Sequence, residues 1–68
     1  MRIEIVVNGE RRSVNEGQTL LDLLRELGLE PARVAVEMNR RIVKQPLWNE
    51  TELAAGAELE IVQFVGGG

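Results

Sequence analysis

The first segment of the chain alternates between apolar and more polar positions. Every second residue from Ile3 to Val7 is a branched aliphatic, and this period of two predicts a strand with one buried face. Asn8-Gly9 follows at once, and both residues tolerate the positive φ that a two-residue hairpin turn requires. Residues 11–15 then predict a shorter, more polar return strand at the edge of a sheet, with Val14 pointing inward.

A helix is predicted after this hairpin. Four leucines recur three or four positions apart, as one face of an α-helix requires: Leu20, Leu23, Leu24 and Leu27. Thr19 and Asp22 resemble a capping box at the start of the helix. Gly28 suits the left-handed position that ends a helix, and Pro31 prevents the helix from resuming.

Three more strands are predicted in the second half of the chain. Apolar residues alternate over 34–38, and Asn39-Arg40 predicts a turn into a fourth strand at 41–43. Trp48 lies in an irregular segment and is expected to close one end of the core from a single helical turn. Residues 58–65 predict the last strand.

The resulting order is strand, strand, helix and three strands. The first and last strands are the most apolar, so we expect them side by side in the centre of the sheet. One helix packed on a mixed sheet of about five strands is an α+β fold with two layers, and its order and size resemble the β-grasp, or ubiquitin-like, fold. We expect residues 1–65 to form this domain and residues 66–68 to form a flexible glycine tail.

Composition argues against several classes of function. The 68 residues include no Cys and no His, so no thiolate nucleophile, disulfide, thiolate metal site or ordinary neutral-pH base is available. The net charge of −3 argues against nucleic acid or an anionic membrane as the partner. Glu4 interrupts the apolar run that a signal peptide requires. A cytoplasmic protein that is monomeric when free, and not an enzyme, is expected.

The most informative feature is the terminal run Gly66-Gly67-Gly68. A frayed end or a cloning scar is the alternative interpretation. Placed directly after a strand, however, glycines allow a narrow segment to enter the active site of a partner enzyme, because they have no Cβ and adopt almost any φ and ψ. The Gly68 carboxylate is then the group to be modified, and Gly66, Gly67 and Gly68 are the residues that thread into the partner.

A thin tail needs a recognition surface on the folded body. Val62 and Phe64 should lie on the open face of the sheet, because they alternate with core-facing residues of the last strand. Ile42 or Val43 joins them, since only one of two adjacent residues can point inward. Two acids share that face and could pair with a basic partner: Glu58 and Glu60. Scattered exposed hydrophobic residues, which most proteins carry, are the alternative.

The other charged residues suggest no site. Arg11-Arg12 and Arg40-Arg41 could contact phosphate, but solvated turn and edge charges explain them more simply. The helix acids are explained by solvation and indicate no metal site: Asp22, Glu26 and Glu30.

In sequence the chain resembles the ThiS family, the sulfur carriers of thiamine biosynthesis, which are related to ubiquitin and to the small subunit of molybdopterin synthase. The resemblance spans the whole chain and rests on several short segments in the same order: Asn8-Gly9, Gly17-Gln18-Thr19-Leu20, Val36-Glu37-Met38-Asn39, Ile42-Val43, Trp48, Glu60-Ile61-Val62 and Gly67-Gly68. Lys44-Gln45-Pro46 departs from the family pattern, in which many relatives have Pro directly after the Ile-Val pair. This difference alters only a loop.

The resemblance implies a reaction cycle. An adenylating enzyme of the ubiquitin-activating kind (ThiF-type) would use ATP to convert the Gly68 carboxylate to an acyl-adenylate. A persulfide from a cysteine desulfurase relay would supply sulfur and leave a thiocarboxylate, which a thiazole synthase (ThiG-type) would accept. The chain would be a cosubstrate without a bound cofactor.

Two alternatives remain open at this point. The small subunit of molybdopterin synthase has the same fold and a diglycine end, but it is usually longer and often has prolines where Val65 stands here. Carriers for other sulfur metabolites belong with this alternative. The second is a ubiquitin-like modifier or interaction module, whose tail would form isopeptide bonds or whose sheet would only dock.

Overall fold

The computed structural model describes residues 1–64. These residues form a five-stranded sheet and one α-helix, and the elements have the following bounds: β1 (Arg2–Val7), β2 (Glu10–Asn15), α1 (Leu20–Glu26), β3 (Val34–Met38), β4 (Arg41–Val43) and β5 (Glu58–Gln63). Short 3-10 turns span Pro31–Arg33 and Gln45–Leu47. The strand order is β2-β1-β5-β3-β4. Since β1 and β5 are parallel and the other pairs antiparallel, the predicted mixed sheet with central first and last strands is confirmed.

The Asn8-Gly9 turn joins β1 to β2 as predicted. Asn8 has φ 50° and Gly9 has φ 83°, the combination that matches the right-handed twist of a tight hairpin. The two strands then pair over six positions, from Arg2 with Asn15 to Val7 with Glu10. β2 is an edge strand, and its Val14 is buried.

Local signals also set the bounds of α1. The Thr19 hydroxyl accepts the Asp22 N–H at 3.1 Å, and an Asp22 carboxylate oxygen accepts the Thr19 N–H at 3.0 Å, which completes the capping box. Leu24 and two neighbouring leucines of the helix are fully buried, whereas Leu27 is partly buried against the core. Gly28 follows the helix with φ 74°.

The core lies between α1 and the inner face of the sheet. Ile5, Leu59 and Val36 supply buried side chains from three adjacent strands. Trp48 closes one end, as predicted, because the 3-10 turn before it directs the indole inward. Its side chain is 2% exposed, and its Nε1–H donates to the Val43 carbonyl oxygen at 2.8 Å.

The last strand is shorter than predicted. β5 ends at Gln63 instead of residue 65, and the last register partner of this strand is Val34, the first residue of β3. The Phe64 N–H still donates to the Arg33 carbonyl oxygen at 2.7 Å. Val65 and the predicted tail residues Gly66–Gly68 lie outside the described residues.

Candidate functional site

The face of the sheet opposite α1 carries the predicted docking residues. In β5, Leu59 and Ile61 point into the core, and the alternating Val62 points outward with 56% of its surface exposed. Ile42 is 75% exposed, while Val43 packs against the core. The ambiguity at this adjacent pair is therefore resolved, and Ile42 is the outward residue.

Three of the predicted residues line one shallow depression of about 110 Å³: Ile42, Glu60 and Val62. Ala35 and Glu37 of β3, which are not among the predicted docking residues, also line it. Their alternation with Val34 and Val36 would have placed them outside. Only the strand order, however, puts β3 between β4 and β5.

Phe64 and Glu58 mark the two ends of this surface. Phe64 follows β5 directly and is 56% exposed, so it lies on the side of the depression from which the chain continues to the glycines. Glu58 begins β5 and is the register partner of Val6. We call the exposed outer surface formed by Ile42, Glu60, Val62 and Phe64, with Ala35 and Glu37, the open-face patch.

The open-face patch has an uncompensated negative charge. Glu37 and Glu60 are direct register partners across β3 and β5, and like charges in this arrangement repel each other. The two ion pairs found within residues 1–64, Arg12 with Glu26 and Arg33 with Glu30, involve neither carboxylate. A partner that brings a basic group to this patch would relieve the repulsion.

Arg12 differs from the solvated turn or edge charge that the sequence predicted. This residue is the register partner of Ile5 and therefore lies on the helix-facing side of β2. Its guanidinium is 3.8 Å from the Glu26 carboxylate, and its Nε is buried without a hydrogen-bond partner. Arg12 is thus a half-buried link between β2 and α1 rather than a solvated charge.

Residues 1–64 contain neither a cluster of metal-ligating side chains nor a membrane-spanning helix. No cluster of three or more acidic side chains in residues 1–64 could hold a metal ion. Over the same residues, none of the helices has both the length and the apolar character needed to cross a bilayer. Hydrogen bonding from the Thr19 backbone N–H, more than any other contact, holds the pKa of Asp22 below its ordinary value of 3.8.

Comparison with known families identifies the relatives of this fold. A family model described as the ThiS family matches residues 4–68. The chain belongs to the ThiS family. The sulfur carrier protein ThiS of Bacillus subtilis (strain 168) is 44% identical to it over 50 residues, which are 74% of this chain and 76% of that protein. The predicted membership of the ThiS family is confirmed.

A solved structure of a ThiS relative confirms the β-grasp fold. The crystal structure of the thiamine biosynthesis protein (ThiS) from Geobacter metallireducens superimposes with a TM-score of 0.82 at 28% identity. The match covers 97% of this chain and 100% of that one. The sheet order and single helix described above are therefore those of a ThiS protein.

Other relatives are much longer than the region they share with this ThiS-family chain. A thiazole synthase of Paramagnetospirillum magneticum is 41% identical over 66 residues, and that of Magnetococcus marinus is 38% identical over 66 residues. In each case the match covers 97% of this chain. The chain spans only 20% of the length of either thiazole synthase.

Proposed function

We propose that this ThiS-family chain carries sulfur on its Gly68 carboxylate. A ThiF-type enzyme activates the carboxylate with ATP, releasing pyrophosphate and leaving an acyl-adenylate. The outer sulfur of a persulfide from a cysteine desulfurase relay then displaces AMP and forms an acyl disulfide. A thiol of the partner protein cleaves the S–S bond, so that a disulfide stays on the partner and the carrier leaves as a thiocarboxylate in the cytoplasm. The protein binds no cofactor of its own and serves as a cosubstrate.

The observation that carries this proposal is the family match through residue 68. It includes the run Gly66–Gly68, in which only backbone atoms and the last carboxylate are available for chemistry. The chain supplies neither Cys nor His, which agrees with sulfur that travels on a carboxyl group rather than on a side-chain thiol.

The open-face patch supports the proposal that partner enzymes bind the folded body. Its apolar members, Ile42, Val62 and Phe64, are exposed, although most large apolar side chains of residues 1–64 are buried in the core or packed against it. Glu60 and Glu37 surround them with negative charge, and Glu58 extends it along β5. A partner surface with apolar side chains and an arginine or lysine complements this arrangement.

The long relatives support a thiazole synthase as the acceptor of the sulfur. Both are named thiazole synthase and contain a segment similar to this chain. Segments that are joined in one polypeptide in some organisms are expected to act together where they are separate proteins. The ThiG-type partner is therefore proposed here on the similarity of these longer proteins.

Intact-mass spectrometry tests the proposal directly. The full chain is incubated with a ThiF-type enzyme, ATP, a persulfide donor and a thiol that cleaves the acyl disulfide, and the expected product is heavier by the difference between one sulfur and one oxygen atom. The matched control lacks Gly68 only, and it should keep its circular dichroism spectrum but gain no sulfur. A covalent conjugate to a lysine of another protein would instead indicate a ubiquitin-like modifier.

A further inference from the structure

Two turn asparagines hold β5, the strand that leads to the terminal glycines. Asn39, with φ 52°, donates its N–H to the Glu58 carbonyl oxygen at 2.8 Å and accepts the Glu58 N–H on its Oδ1 at 3.0 Å. It therefore fixes the first residue of β5 from the β3 side. Asn8 acts from the opposite side and farther along the strand.

Beyond the end of β1, Asn8 supplies the hydrogen bonds that a neighbouring strand would otherwise make to β5. The β1–β5 register stops at Val7 with Leu59, and the Asn8 N–H continues it by donating to the Leu59 carbonyl oxygen at 2.8 Å. The side chain then takes over. Its Oδ1 accepts the Ile61 N–H at 2.8 Å, and its Nδ2 donates to the Ile61 carbonyl oxygen at 3.1 Å.

These contacts go beyond what a tight turn requires. Glycine would satisfy the positive φ at position 8 equally well, but it would leave both main-chain groups of Ile61 without the Asn8 amide. Residues 62–68 follow Ile61 directly, and Val62 belongs to the open-face patch. Asn8 therefore acts at the junction between the patch and the terminus.

We propose that Asn8 is a positioning residue for the carrier reaction. It fixes β5 at Ile61 relative to the open-face patch, so that a partner bound to the patch receives the Gly68 carboxylate in its active site. This inference rests on the proposed function. Because a misplaced reacting group lowers the rate even when the body is bound, Asn8 affects turnover of the docked complex, whereas patch residues affect docking.

The test compares Asn8→Gly with Asn39→Gly in the full chain. Each substitution keeps a residue that tolerates positive φ and removes the side-chain bonds to β5. With a ThiF-type enzyme and ATP, we measure pyrophosphate exchange as a function of carrier concentration. Asn8→Gly should lower kcat about tenfold with KM nearly unchanged, because a misplaced carboxylate slows the reaction of the docked complex, and Asn39→Gly should change neither.

Amide hydrogen exchange provides a second measurement that does not depend on the enzyme. Asn8→Gly should speed exchange at Ile61 about tenfold, whereas Asn8→Asp, which keeps the accepting oxygen, should preserve protection there. Equal kcat values for wild type and Asn8→Gly would overturn the inference, as would unchanged exchange at Ile61. If wild type itself supports no pyrophosphate exchange, the proposed function fails, and hydrogen exchange still decides whether Asn8 holds Ile61.

Discussion

Replacing Glu60 with glutamine should raise the stability of the domain and weaken its binding to a partner. Glu60 lies opposite Glu37 on the open face, and neither carboxylate belongs to an ion pair found within residues 1–64. Glutamine has nearly the same shape and removes one of the two like charges. The folded chain loses a repulsion, and the proposed partner loses a charge to which it binds.

The size of the stability gain follows from the exposure of the pair. Like charges directly opposite on a sheet cost roughly 0.2–1 kcal/mol, and solvent screening places two exposed carboxylates at the lower end of this range. For a domain of this length, 1 kcal/mol corresponds to roughly 4–8 °C in Tm. The Glu60→Gln variant should therefore melt about 1–4 °C higher, while its Kd for a ThiF-type enzyme should rise about tenfold with the loss of a charge-assisted contact.

Thermal denaturation followed by circular dichroism and isothermal titration calorimetry measure the two effects. The gain in Tm should vanish in about 1 M salt, where the screening length is about 3 Å. The control Glu16→Gln makes the same chemical change in the turn between β2 and α1, and it should leave the Kd unchanged. A lower Tm for Glu60→Gln would refute the repulsion between Glu37 and Glu60, and a higher Tm with an unchanged Kd would refute the role of Glu60 in docking.

The remaining predictions concern the core, the helix cap and the patch. Leu24→Ala should lower the free energy of unfolding by about 2–5 kcal/mol in urea denaturation, because Leu24 is fully buried. Since the folded pKa of Asp22 is depressed, mainly by the Thr19 N–H, its contribution to stability is present above pH 3.8 and is lost as the pH falls through the folded pKa. Asp22→Asn should remove that part of the pH dependence. Val62→Asp should raise the KM for the carrier with little change in Tm, and a large loss of Tm would show that Val62 does not face outward.

The features predicted correctly from the sequence depend on residues that are near one another in the chain. The Asn8-Gly9 turn and the capping box of Thr19 and Asp22 each form within a few residues, so their geometry follows from local chemistry. The central position of β5 was predictable for another reason. A strand with neighbours on both edges is deeply covered, and the last segment is among the most apolar in the chain.

The features that the sequence did not reveal depend on register between distant strands. Ile42 and Val43 are equally apolar neighbours, and only the pairing of Val36 with Val43 shows which one points inward. The opposition of Glu37 and Glu60 likewise requires that β3 and β5 be adjacent and in one particular register. Asn8 was predicted as a turn residue, and no local signal shows that its amide reaches Ile61.

The open-face patch is difficult to explain by folding alone. A chain of 68 residues buries only about 60% of its unfolded surface and has a small margin of stability. It nevertheless leaves Ile42, Val62 and Phe64 exposed and places Glu37 against Glu60. Polar residues in place of Ile42, Val62 and Phe64, and a lysine in place of one of the two glutamates, would suit an isolated domain better. These costs make physical sense when a partner covers the patch, because burial of the apolar side chains and neutralisation of the carboxylates then stabilise the complex.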